Sequence, residues 1–186
     1  DILKAAPMGV IGYHPALLPA NRGRHPIIWA LALGLKETGS TFFVMDDGAD
    51  SGDILSQKRI TIRYKDTARS LYDRMICTAL AQLDEFVPEL AEVGLAETSA
   101  QRGNKANYWR KRTKEDGRID FRMTGRWIYN LVRSLSAPYA GAHVRYRERD
   151  IKVWAAKEIV FKKGNVECGK VLKNGRSGVL VKCAGG

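Results

Sequence analysis

Apolar residues along the chain fall into two rhythms. Between about 67 and 92, Ala68, Leu71, Tyr72, Met75, Ile76, Ala79, Leu80 and Leu83 recur at three- and four-residue spacing. That period predicts a long amphipathic helix with these side chains on one face. Asp66 is placed to cap it, and Pro88 is expected to kink or restart it. Residues 8–13, 39–45 and 54–62 read as short strands. Pro26 marks the start of a short helix with an apolar body of Ile27, Ile28, Ala30, Leu31 and Leu33. A second helix is expected after Thr124, with Trp127, Ile128, Leu131, Val132 and Leu135 turned inward. Strand-like runs follow at 142–146, 151–161 and 178–183, punctuated by glycines.

Strands and helices alternate in the first half, which predicts an α/β sheet domain with parallel strands. The short glycine-punctuated strands at the end predict a small β-rich domain. The expected division is 1–93, a polar and basic linker at 94–118, and 119–186.

Composition narrows the classes. At 45% hydrophobic residues the chain is too apolar for disorder. No apolar run approaches the roughly 18 residues that suggest a membrane helix. Cys77, Cys168 and Cys183 have neither a zinc-site nor a disulfide-framework spacing and read as reduced thiols, so a cytoplasmic protein without a metal is expected. Net charge is −3 over residues 1–100, +9 over 101–149 and +5 over 150–186. The positive second half is suited to phosphates, on RNA or on a nucleotide-linked substrate.

Two residues stand out for chemistry. His14 ends a predicted strand, and Asp50 lies in the acidic, glycine-bearing loop 46–52. In open α/β sheets ligands bind beyond the carboxyl ends of the strands. An imidazole and a carboxylate from two such ends can meet there, and the carboxylate orients the ring. By spacing alone, a hydrogen-bonding His and a turn-forming Asp explain the same residues.

The wording of three segments goes further. His14-Pro15-Ala16-Leu17-Leu18-Pro19 is followed by Arg22-Gly23-Arg24 and Pro26-Ile27. Met45-Asp46-Asp47-Gly48-Ala49-Asp50-Ser51-Gly52-Asp53-Ile54-Leu55 is followed by Gln57. Tyr108-Trp109-Arg110-Lys111-Arg112-Thr113 precedes Glu115-Asp116-Gly117, Ile119-Asp120-Phe121 and the run Ile128 to Arg133. In that order they resemble the folate-dependent formyltransferases of the amino-sugar and methionyl-tRNA type. The resemblance implies part of a Rossmann-like formyltransferase sheet domain, followed by a small OB-like C-terminal domain. It implies 10-formyltetrahydrofolate as the formyl donor, with Asp46, Asp47, Gly48 and Ala49 lining the pterin pocket.

It also implies that His14 and Asp50 are catalytic. His14 would stabilise the oxyanion that develops on the formyl oxygen and help move the proton lost by the attacking amine. Arg22, Arg24, Trp109 and Arg110 are the candidate substrate contacts, Trp109 and Arg110 from a cluster expected between the domains. A nucleotide-linked amino sugar is the first expected acceptor, and charged tRNA the alternative. A homodimer is left open, and a non-catalytic binding module on the same fold is the rival from another class.

Two positions depart from the family. Gly12 stands where it has Asn, which donates to the oxyanion, and Ala16 stands where it has Ser. Because the His14 strand arrives so early, roughly 80–100 residues are expected before Asp1 to complete the sheet, and a last strand is expected after Gly186.

Overall fold

The computed structural model describes residues 3, 6–94, 97–102, 105–160 and 165–185. The chain divides into two compact units, residues to 30, 35–66 and 70–112 in the first, and 31–34, 67–69 and 113 onward in the second.

The first unit is organised by a three-stranded sheet in the order β1 (Ile11–His14), β3 (Glu37–Val44), β4 (Ile54–Thr61). Both pairings are antiparallel, which corrects the parallel arrangement expected from the sequence. The register sets Gly12 opposite Phe43 and His14 opposite Thr41. The connection from β1 to β3 through the short helix α1 (Pro26–Ala32) returns the chain antiparallel, and the loop 45–53 makes β3–β4 a hairpin.

Helix α2 (Ala68–Val93) runs unbroken through Pro88. Its buried stripe is Ala68, Leu71, Met75, Gln82 and Phe86, narrower than expected. Tyr72, Ile76 and Leu80, assigned to the inner face from their spacing, are exposed. The buried glutamine reflects what the sheet presents. Gln82 Nε2 donates to Ser40 O at 3.3 Å and to Ser56 Oγ at 2.8 Å, satisfying groups that an apolar residue would leave unpaired. Phe86 packs edge-on against Phe42, and Phe42 against Tyr13. Since side chains alternate along a strand, Tyr13 and Phe42 belong to this face, while Gly12, His14, Thr41 and Phe43 belong to the other. A two-residue parallel ladder joins β2 (Arg22–Gly23) to β5 (Tyr108–Trp109), so part of the stretch read as a linker belongs to the first unit.

In the second unit, helix α3 (Gly125–Ser134) follows Thr124, whose hydroxyl accepts from Trp127 N at 3.4 Å. Leu131, Val132 and Leu135 are buried as expected, but Trp127 is not. It sits in the first turn at 47% exposure, while burial is concentrated in the last turns, where Arg133 Nε also donates to Asn130 Oδ1. Strands β6 (Ala142–Tyr146) and β7 (Arg149–Val153) form one hairpin, and β8 (Val171–Gly175) and β9 (Gly178–Val181) another. Among the described residues these remain separate two-stranded sheets rather than a closed barrel. The strand expected over 151–161 stops at Val153, and its last position lies outside the described residues. Among the described residues no helix is long and apolar enough to cross a membrane.

Candidate active site

His14 closes β1 on the face away from α2 and is 4% exposed. The loop that follows is drawn back over the sheet. Thr41 Oγ1 donates to Ala16 O at 2.6 Å, and Gln57 Nε2 donates to Leu18 O at 3.0 Å and to Thr41 Oγ1 at 2.9 Å. Gln57 on β4 and Thr41 on β3 thus anchor the segment that fixes the backbone beside His14. Its Nε2 lies 2.8 Å from Asn21 O, and since a carbonyl only accepts, Nε2 is the donor there. Its Nδ1 faces Asp50 Oδ2 at 3.5 Å.

The sequence brought His14 and Asp50 together as neighbouring strand ends of a parallel sheet. They do meet, but by another route. In the antiparallel register the carboxyl end of β3 lies beside Ile11, at the opposite end of β1 from His14. The loop 45–53 doubles back to cover that distance. Val44 N donates to Asp53 O at 2.8 Å, and Gly52 crosses so close that a Cβ there would sit 1.7 Å from Val44 O. Only glycine permits that crossing. Asp50 itself takes a left-handed conformation, φ 55°, and its Oδ2 also accepts Gly23 N at 2.8 Å.

One residue outside every sequence motif locks this arrangement. Gln101 Nε2 donates to Asp50 O at 2.9 Å and Gly52 O at 2.7 Å, while its Oε1 accepts from Arg22 Nη2 at 2.7 Å. Arg22 Nη1 donates onward to Tyr108 Oη at 3.0 Å. Arg22, expected to face substrate, is buried and engaged in these internal bonds, so the structure places it as a tie between loops. Nothing in the local sequence around Gln101 signals this role; Asn21 was not singled out and Gly23 entered only within the Arg22-Gly23-Arg24 motif, because both act through backbone groups.

The remaining candidates divide. Asp46, Asp47, Gly48 and Ala49 are all exposed on the loop. Asp46 Oδ1 is used within it, accepting Gly48 N at 3.0 Å and Ser51 Oγ at 2.7 Å. Trp109 is half-buried, 6.4 Å from the Trp29 ring, in the first unit. The Arg110 guanidinium lies 5.3 Å and that of Arg112 4.6 Å from the Trp29 ring centre, and Trp29 Nε1 donates to Arg110 O at 3.0 Å. Arg24 is exposed, and its backbone N donates to Trp109 O at 2.9 Å. His25, not singled out from the sequence, has its Nδ1 sealed from solvent without a partner. Burial, then the charges of Arg112, Arg24 and Lys111, push its pKa down.

Comparison with known proteins adds the following. A family model described as formyl transferase matches residues 1–83, and one described as formyl transferase, C-terminal domain, matches residues 111–186. The chain is 38% identical over 183 residues to a methionyl-tRNA formyltransferase of Caldanaerobacter subterraneus subsp. tengcongensis, covering 98% of this chain and 58% of that protein. It therefore spans somewhat more than half the length of that relative. Among solved structures it is similar to the N-formyltransferase from Helicobacter canadensis in complex with folinic acid and dTDP-3-aminofucose, with a TM-score of 0.66, 22% identity, and 76% of this chain and 52% of that one covered. HypX from Aquifex aeolicus in complex with tetrahydrofolic acid gives a TM-score of 0.71 at 18% identity, over 93% of this chain and 30% of that one.

Proposed function

This chain belongs to the formyltransferase family, and from that premise we propose that it takes part in moving a formyl group from 10-formyltetrahydrofolate to a primary amine. The observation that carries the reading is the buried His14 facing Asp50, within the segment matched by the first family model. Asp50 is fixed through Gly23 N and Gln101, so it in turn fixes the imidazole. His14 then exchanges a proton with the acceptor amine or donates to the developing oxyanion. Either task requires a ring nitrogen, so the contact from Nε2 to Asn21 O opens when the ring serves substrate.

The loop 46–49 suits a pterin. Asp47 is exposed, and no partner holds its carboxylate among the described residues. A carboxylate acceptor matches the N–H edge of an aminopyrimidinone. Bound there, the folate supplies the activated formyl group, and Asp46 stiffens the loop through Gly48 and Ser51.

For the acceptor, the 38% identity to a methionyl-tRNA formyltransferase over nearly the whole chain supports charged tRNA. The nucleotide-linked amino sugar, the first acceptor expected from the sequence, becomes the second reading, supported by the wording of Asn130-Leu131-Val132-Arg133 and by an acceptor of that class in a fold neighbour. A formyl-transfer assay offering methionyl-tRNA and a panel of amino-sugar nucleotides tests both. Transfer to one acceptor, lost on His14→Ala, is the expected result. No transfer to either acceptor refutes the reading.

A further inference from the structure

Two groups set the position of the His14 ring. Asp50 faces Nδ1, held by the bonds given above. On the other side Asn21 O accepts from Nε2 at 2.8 Å. The conformation of Asn21 has to be held in place. Its φ is 65°, in the left-handed region, which a residue with a Cβ keeps only when its surroundings impose it. Upstream, Ala20 N donates to Leu17 O at 3.1 Å, and Gln57 Nε2 holds Leu18 O. Downstream, Asn107 grips two successive amides. Its Oδ1 accepts from Asn21 N at 2.8 Å, and its main-chain O accepts from Arg22 N at 3.0 Å. The main-chain bond continues the β2–β5 ladder and needs no particular side chain. The bond to Asn21 N depends on the Asn107 carboxamide, which reaches it across 86 positions of sequence.

We infer that Asn107 is a positioning residue for His14, acting through Asn21. With its N held by Asn107, the left-handed Asn21 turns its carbonyl onto Nε2. A carbonyl accepts only, so it selects the ring form that carries a proton on Nε2. That nitrogen is the one left to donate to the developing oxyanion, or to exchange a proton with the amine, while Nδ1 faces Asp50. The ring therefore meets substrate already protonated at the atom that serves it. Gln101 and Asn107 divide the work. Gln101 secures Asp50 on the Nδ1 side, and Asn107 secures the acceptor on the Nε2 side. Asn107 acts at one remove, because its bonds run to Asn21 N and Arg22 N rather than to the ring. This role rests on the proposed formyl transfer for its kinetic consequence, whereas the state of the ring is measured without turnover.

The test follows His14 in the intact protein by NMR of its labelled ring nitrogens, at a pH where the ring is neutral, so that the share protonated at Nε2 is measured directly. Asn107→Leu keeps the size of the side chain and removes the acceptor, and Asn107→Asp restores an acceptor. The Nε2-protonated share should fall in Asn107→Leu and return toward wild type in Asn107→Asp. In formyl transfer, kcat of Asn107→Leu should fall about tenfold, the weight of one aligned hydrogen bond. KM for donor and acceptor should stay unchanged, and Asn107→Asp should recover most of the rate. Melting curves establish that each variant is folded, and Asn107→Ala replaces Asn107→Leu if the latter is not. An unchanged Nε2 share overturns the role, and so does an equal loss in Asn107→Asp, which marks a disturbed loop rather than a missing acceptor. A shifted ring with unchanged kcat, or a rise in KM in place of the fall in kcat, overturns it as well. A ring that responds as expected in a protein without formyl transfer would sink the proposed function and leave the hold of Asn107 on His14 standing.

Discussion

Gly12→Ala should destabilise the first unit through one identifiable collision. Gly12 is not among the glycines with positive φ, so its backbone does not require glycine. The space does. A Cβ on Gly12 would lie 2.7 Å from Phe43 Cζ, 2.9 Å from Phe43 Cε1 and 2.9 Å from Met45 Cγ. Comfortable carbon–carbon contact is about 3.5–4.0 Å. Met45, at 41% exposure, can swing aside, but Phe43 is 3% exposed and sits directly opposite Gly12 in the ladder. Overpacking of this kind costs about 1–3 kcal/mol, which for a protein of this size lowers Tm by roughly 4–8 °C at the middle of that range. Phe43→Leu removes the ring edge and carries a cost of its own. The double variant should then be more stable than the sum of the singles predicts, by about 1 kcal/mol within the usual span for touching residues. Thermal and denaturant unfolding of all four proteins closes the cycle. A Gly12→Ala variant within about 0.5 kcal/mol of wild type, or strict additivity, refutes the reasoning. The longer Asn expected at this position from the sequence resemblance meets the same ring, so Gly12→Asn alone should cost stability without improving formyl transfer.

Three further outcomes follow from the site and its supports. His14→Ala and Asp50→Asn should each lower formyl transfer by about 10²–10⁴ with far-ultraviolet dichroism unchanged; rates within a few-fold of wild type would remove both residues from the chemistry. Burial alone would raise the Asp66 pKa, but Arg74, Arg63 N and Ser70 together hold it at about 2 against an ordinary 3.8, so its stabilisation is present above pH 4 and lost as pH falls toward 2. That difference corresponds to about 2 kcal/mol, and the stability gap between wild type and Asp66→Asn should narrow accordingly from pH 6 to pH 2; a constant gap would contradict it. Gln101→Ala should raise amide hydrogen exchange in residues 45–53 and lower kcat without unfolding α2, and unchanged exchange there would show that Gln101 does not hold the loop.

Much of this was legible from local rules. The 3.6-residue period located α2 almost to its ends, and strand propensity located β1, β3 and β4, because those preferences act over a few residues. Direction did not follow, since the same three strand patterns fit a parallel or an antiparallel sheet. The inner face of α2 was misjudged because Leu80 and Ile76 are apolar and exposed while Gln82 is polar and buried; what decides is the hydroxyl of Ser56 and the carbonyl of Ser40 on the facing sheet. The approach of His14 to Asp50 could be anticipated from their motifs, yet its means could not. It depends on a crossing at Gly52 and on an amide fifty-one positions away. Arg112 was visible as a charge in a presumed linker, but its stacking on Trp29, eighty-three positions earlier, is a tertiary contact that the local pattern does not report.

The Gln101 bridge also fixes when in the life of the chain the site can come into being. Asp50 is tied to a residue 51 positions downstream, and Arg22 to partners 79 and 86 positions downstream. Each tie closes a long loop, whose entropy must be met before any contact rewards it. The β3–β4 hairpin and α2 are local and form early, whereas the His14–Asp50 alignment waits for the last of these closures. During synthesis, a chain emerging from the ribosome can already hold its sheet and long helix while His14 and Asp50 stand unaligned. The Gln101 and Tyr108 ties can close only once residues 101–109 have cleared the exit tunnel, so the loop that carries Asp50 gains its last supports after the sheet and long helix have emerged.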